Sequence, residues 1–171
     1  MISKLLILIF ILYLLQNYFY IYNSNSNILP NLWIGNRIGA HDHVFMHKKN
    51  IKLIINCTKH LDFINICDYR IKKYRLEVDD NFSNETHNNI LKNIDNINKL
   101  IDKYLKEKKG VFIHCNAGMQ RAATITACYL IFSRKYSLEE AVNFIKDKRY
   151  IAFRPFIHYY NTLLEFSRRK K

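Results

Sequence analysis

Glycine and proline are scarce, four and two in 171 residues, which leaves no composition for flexible linkers, repeats or low-complexity tracts. Cysteine is sparse too. The four cysteines include no CxxC pair, and His41 and His43 have no companion ligands at metal spacing. Neither a disulfide framework nor a metal site is expected, and no cofactor is called for. Cys57 and Cys128 sit in apolar surroundings where a free buried thiol is common, and Cys67 lies in an uninformative stretch. Reduced thiols favour a cytosolic domain. Acidic residues are outnumbered, 14 against 27 Lys and Arg, for a net charge of +13. Such an excess suits phosphoproteins, anionic lipid or nucleic acid as partners. Yet the lysines are dispersed, apart from Arg168-Arg169-Lys170-Lys171, and no nucleic-acid-binding motif accompanies them, so no specific nucleic acid is expected. A solvated surface of biased composition accounts for the charge equally well.

What is present suffices for one folded domain: 49% hydrophobic and 24% charged residues over a length that can bury its own core. The N-terminus stands apart. Leu5 to Leu15 is an unbroken apolar run, continued after Gln16 and Asn17 by Tyr18–Tyr22. No small-residue cleavage site follows it. Counted to Tyr22 it approaches the ~20 residues that span a bilayer, with aromatics where an interfacial belt lies. The expectation is a transmembrane anchor over residues 1–22, a tether through Asn23–Asn27, and a folded domain over 28–171 on the cytosolic side. The alternative is a buried or oligomerising helix in a cytoplasmic protein. Lys4 and Arg37 are the nearest flanking charges and do not orient the run.

From Ile28 onward short apolar runs alternate with longer amphipathic ones, the mark of an α/β domain. Strands are expected at Leu32–Gly35, Leu53–Cys57 and Tyr74–Val78, and a short helix over Ala40–Lys49. Ile90, Ile94, Ile97, Ile101 and Leu105 recur at helical spacing, so Glu85–Lys108 reads as an amphipathic helix. Ser137 with Glu140 is a capping box opening a helix to about Lys148. Pro155 suits the first turn of a last helix.

The informative segment is V-F-I-H-C-N-A-G-M-Q-R-A, Val111–Ala122. A buried strand ends in His114 and Cys115, a tight loop follows, and Arg121 opens the helix Ala122–Tyr136. A thiol attacks as its thiolate, and unpaired amides at a helix N-terminus favour an anion there. The amides of Asn116, Ala117, Gly118, Met119 and Gln120 can bind phosphate oxygens, with Gly118 permitting the unusual turn. Arg121 adds a bidentate fork that lysine could not reproduce. His114 is expected to hold the loop and support the thiolate by hydrogen bonding. A Cys and an Arg six apart are weak evidence alone; the His, the Gly and the strand–loop–helix setting make the pattern specific.

H-C-N-A-G-M-Q-R resembles the Cys-x5-Arg signature of the cysteine-dependent protein tyrosine phosphatases, and is most similar to their dual-specificity subgroup. I-L-P-N-L-W-I-G-N at Ile28–Asn36, Asn50–Asn56 and A-T-I-T-A-C-Y-L-I at Ala123–Ile131 resemble its first two strands and the helix after the loop. The resemblance implies a central, mostly parallel sheet of about five strands flanked by helices, here preceded by an N-terminal hydrophobic helix. It also implies a two-step reaction. The thiolate attacks phosphorus while a carboxylic acid protonates the leaving group, and water then hydrolyses the cysteinyl-phosphate. The acid lies about thirty residues before the cysteine, which leaves Asp79 and Asp80; aligning Val78 with the strand end selects Asp80, with Asp79 second.

Two positions depart from that family. Ser or Thr usually follows the arginine, where its hydroxyl eases departure of the thiolate, and here the residue is Ala122. Pro-Asn is common where this chain has Pro155-Phe156, so an amide that braces the loop is missing. The expected function is dephosphorylation of phosphotyrosine and phosphoserine/threonine in proteins. A phosphate-binding scaffold with little turnover is the alternative from another class. The uncharged loop residues argue against phosphoinositides and give RNA 5′-phosphates no support.

Overall fold

Alternation along three strands decides how the chain layers. The computed structural model describes the backbone of residues 2–22, 24–65, 70–81 and 83–170; Cys67 lies outside the described residues. In β2 (Leu32–Gly35), β3 (Ile51–Asn56) and β5 (Gly110–His114), neighbouring residues enter opposite cores. Leu32, Ile34, Leu53, Ile55, Val111 and Ile113 face one core. Ile51, Ile54 and Phe112 face the other, with Trp33 packed against it. Period-2 side-chain direction accounts for this from Leu53 onward, and the register irregularity in β3 between Ile51 and Leu53 puts Ile51 on the side of Ile54.

The five-stranded sheet runs in the order β1-β2-β5-β3-β4, where β1 is Asn25–Leu29 and β4 is Lys72–Arg75. β1 is antiparallel to β2, and the other pairs are parallel. The expected sheet is therefore present, with β5 central. On one face lie α3 (Asn84–Lys106), α4 (Arg121–Arg134), α5 (Leu138–Lys148) and α6 (Tyr160–Arg169), which supply most of the larger core. The other face is covered by Ala40 and by Phe45 and Met46 of α2 (His43–Lys48); Phe45 meets Trp33 and Phe112 edge-on at 5.2 and 5.4 Å. α4 is buried continuously from Arg121 to Ile131, as a helix apolar all round must be. It carries the loop 115–120 on its N-terminus.

Local signals explain most boundaries. Ser83 caps α3 through Thr86 N at 3.2 Å. The Ser137–Glu140 capping box forms as expected: Glu140 N donates to Ser137 Oγ at 3.2 Å and Ser137 N to Glu140 Oε2 at 2.7 Å. Three expectations need revision. The helix expected over Ala40–Lys49 is split, because Asp42 takes an extended conformation and caps α2 at Phe45 N, 2.9 Å away. The strand expected through Val78 ends at Arg75, since its partner β3 ends at Asn56 and beyond that point Cys57 N bonds to His114 O at 2.8 Å. Pro155 follows a cis peptide bond in the loop before α6, which begins only at Tyr160.

The N-terminal expectations also change. Asn25–Asn27, expected in a tether, form the start of β1, and Asn27 Nδ2 fastens the hairpin through Leu29 O and Leu32 O at 2.9 and 3.3 Å. The hydrophobic segment is helical, α1 spanning Ile2–Tyr22, and Leu5–Leu15 are 46–60% exposed. That exposure excludes burial of these residues within the chain. Among the described residues no helix is long and apolar enough to cross a membrane, which corrects the transmembrane expectation.

Candidate active site

β5 is buried along its whole length between β2 and β3, and delivers His114 and Cys115 to one end of the sheet. Cys115 is 2% exposed, and its Sγ receives the Gly118 N–H at 3.2 Å. The loop back to α4 is anchored at every carbonyl. Asn116 O accepts from Arg37 N at 3.0 Å, Met119 O from Phe153 N at 2.9 Å and Gln120 O from Thr124 N at 2.8 Å. Ala117 O and Gly118 O accept from Arg149 at 3.1 and 2.7 Å. A trans peptide sets its N–H opposite its C=O. Carbonyls held outward therefore turn the amides of residues 117–121 toward a common centre beside Cys115, a nest for an anion. Gly118 has φ +66°, and a Cβ there would come within 2.4 Å of Gly35 O, so only glycine fits the turn.

Arg121 leaves the first turn of α4 and bends over the loop. Its guanidinium donates to Val78 O at 3.2 Å and to Asp80 Oδ2 at 3.1 Å, while its buried Nε makes no hydrogen bond. Asp79 turns the other way, to Lys59 Nζ at 2.6 Å, and its carbonyl accepts the Tyr159 hydroxyl at 2.8 Å. Burial, and then the charge of Asp80, raise the Tyr159 pKa, so that hydroxyl stays a donor. A cleft of about 260 Å³ opens between Cys115, Arg121 and Asp80, walled on its far side by Arg154, Pro155 and His158. The structure thus brings Cys115, Arg121 and Asp80 together and leaves Asp79 outside.

A second thiol, Cys57, is buried near Cys115. Burial, and secondarily the proximity of Cys115, push the Cys57 pKa well above its ordinary value, so Cys57 remains a neutral thiol. Burial first, then His41, push the His114 pKa down to about 3, against an opposing hydrogen bond to the Cys115 backbone. The ring is neutral, stacks on Phe112 at 5.8 Å, and its Nδ1 makes no hydrogen bond. The His114 backbone carbonyl takes the Cys57 N–H at 2.8 Å and ties the end of β5 to the residue after β3.

The departures resolve unequally. Ala122 is fully buried and offers no hydroxyl, and Thr124 Oγ1 is buried without a hydrogen bond, so it does not substitute. The missing amide beside Pro155 is replaced from within the loop. Gln120 Nε2 donates to Arg154 O and Phe156 O at 3.0 and 2.9 Å, and its Oε1 accepts His158 N at 3.1 Å. Sequence reasoning named Gln120 only as a loop residue, and did not find Arg149, Arg154, His158 or Tyr159. Nothing local marks them, because each reaches the site from after α4.

The dual specificity phosphatase catalytic domain family matches residues 32–169 of this chain. The chain belongs to this family. The 123R protein of Invertebrate iridescent virus 6 is 32% identical over 143 residues, covering 84% of this chain and 92% of the viral protein. Dual specificity protein phosphatase 8 of Mus musculus is 29% identical over 149 residues, covering 85% of this chain but 21% of that protein. Among solved structures, human DUSP28 superposes with a TM-score of 0.76 at 16% identity, covering 85% of this chain and 94% of that one. The human tyrosine phosphatase-like serine/threonine/tyrosine-interacting protein reaches 0.74 at 22% identity, covering 85% and 97%. At such identities the two structures speak for the fold. Family membership makes this dual-specificity phosphatase a phosphoric monoester hydrolase of the protein phosphatase class.

Proposed function

We propose that the protein hydrolyses phosphotyrosine and phosphoserine/threonine in protein substrates through a phosphocysteine intermediate, without metal or cofactor. The catalytic unit is residues 28–171, extended at its start by the Asn25–Asn27 part of β1. The observation that carries the reading is the nest of inward amides around Cys115, closed by Arg121 and bordered by the Asp80 carboxyl.

In the first step the three non-bridging oxygens of the phosphate lie in the nest, with Arg121 gripping two of them. Cys115 Sγ attacks phosphorus from below. The S–P bond forms as the P–O bond to the side chain breaks, and Asp80 gives its proton to the departing oxygen. In the second step Asp80 takes a proton from water, which attacks phosphorus and releases Cys115 as thiolate. Gly118 N–H, already on Sγ, stabilises that leaving thiolate where the family's usual hydroxyl is missing at Ala122. The uncharged side chains of Asn116, Ala117, Met119 and Gln120 favour a phosphoprotein over a phosphoinositide, whose head group calls for added cations.

A burst experiment with an aryl phosphate tests this. The wild type should release about one equivalent of phenol per site and then turn over steadily, and Cys115→Ser should do neither while still binding phosphopeptide. Activity retained in Cys115→Ser overturns the assignment; phosphate binding without a burst in the wild type favours a scaffold.

For the exposed apolar stretch Leu5–Leu15 we propose membrane association. The full chain should float with phospholipid vesicles, and Leu8→Lys with Leu12→Lys should abolish flotation; equal flotation of both sinks the proposal.

A further inference from the structure

Arg149, just past the end of α5, is 1% exposed. A buried guanidinium is costly unless its charge and its donors are all matched. Here the donors are matched by neutral groups: Nε donates to Gly118 O at 2.7 Å, Nη2 to Ala117 O at 3.1 Å and Nη1 to Ser26 Oγ of β1 at 3.1 Å. Among the described residues it makes no ion pair with a carboxylate. Burial lowers its pKa to about 10, and the group opposing that shift is Cys115. The cation therefore sits, without a carboxylate partner among the described residues, against the carbonyls of the loop that follows Cys115.

We propose that Arg149 is the positioning residue of the phosphate cradle, holding the Ala117 and Gly118 carbonyls outward so that the Gly118 amide stays on Cys115 Sγ and the Met119 amide faces the bound oxyanion. The inference rests on the phosphatase reading above and adds to it a residue outside the Cys-x5-Arg segment. The geometry is tight: a Cβ at residue 118 would lie 2.7 Å from Arg149 Nη2, so the loop backbone rests directly on the guanidinium. A rotated 117–118 or 118–119 peptide would turn a carbonyl toward the phosphate and replace attraction with repulsion. A fork is needed for this task. Lysine keeps the charge but cannot reach both carbonyls and Ser26 at once.

The test compares full-length wild type, Arg149→Lys, Arg149→Met and Ser26→Ala. Folding is checked by circular dichroism, and inhibition by vanadate is measured together with kcat and KM. Arg149→Met should weaken vanadate inhibition by about thirtyfold or more, and Arg149→Lys by about tenfold, with kcat falling alongside. Ser26→Ala, which frees one arm of the fork, should give a smaller loss of the same kind. A folded Arg149→Met or Arg149→Lys protein that binds vanadate within about twofold of wild type overturns the proposal. Should Met not fold, the Lys and Ser26→Ala proteins decide. Wild type that binds no vanadate and shows no burst instead defeats the phosphatase reading, which separates the two failures.

Discussion

Asp80 reaches the Arg121 guanidinium at 3.1 Å, whereas its neighbour Asp79 is held by Lys59 at 2.6 Å. Adjacent carboxylates on one short loop thus point into different surroundings, one at the mouth of the phosphate cleft and the other behind it. The Tyr159 hydroxyl on the Asp79 carbonyl pins the loop in that orientation. Asp80 thus occupies one arm of the Arg121 fork.

Asp80→Asn should lower kcat for an aryl phosphate by about a hundredfold or more, the usual range for loss of a general acid. Asp79→Asn should change kcat less than about threefold. Steady-state kinetics of the two variants decide the matter, and the opposite ranking would move the acid to Asp79.

Ala122→Ser restores a hydroxyl at the start of α4. A hydrogen bond to the departing thiolate contributes about 1.5–3 kcal/mol, so hydrolysis of the intermediate should quicken by about tenfold or more. Rapid-mixing kinetics should show an unchanged burst rate and a faster steady state. No change in the steady state would mean that another step limits turnover.

Gln120→Ala removes the side chain that bonds Arg154 O, Phe156 O and His158 N together. A loss of about 1–3 kcal/mol in stability is expected, together with a higher KM, because Arg154 and His158 wall the cleft. Denaturant titration and substrate saturation would reveal both. An unchanged KM would show that the 154–158 segment keeps its place without the amide.

His114 links stability to pH. Its folded pKa, about 3, lies below the ordinary value of 6.5. Between these values the unfolded chain binds the proton and the folded protein does not, so stability is full above about pH 6.5 and is lost as pH falls toward 3. From pH 7 to pH 5 the loss should be about 2 kcal/mol. His114→Gln should show a flatter dependence in denaturant titrations at the two pH values. Parallel curves for the two proteins would assign the acid sensitivity to other groups.

Where the chain repeats a local pattern, its structure could be read directly. Isoleucines of α3 recur every three or four residues and form one buried face, and Ser137 and Glu140 announce a helix start that forms as read. Reading failed where a distant partner decides. Tyr74–Val78 alternates like a strand to its end, but pairing stops where β3 stops. The polar Asn25–Asn27 looks like a tether, yet an edge strand paired on one side tolerates such residues.

The site divides along the same line. Cys115, Gly118 and Arg121 lie within a few residues, and a strand followed by a helix brings them together wherever the rest of the chain goes. By itself, then, the sequence determined the family, the α/β layering and the strand–loop–helix that holds Cys115, Gly118 and Arg121. Only the tertiary structure set Asp80 on Arg121 and Asp79 on Lys59, supplied the bracing amide from Gln120, and placed Arg149 against Ala117 and Gly118. These last contacts join segments far apart in the chain, and side-chain direction at such distances follows from how α4 and α5 pack on the sheet. No periodicity or short motif encodes that.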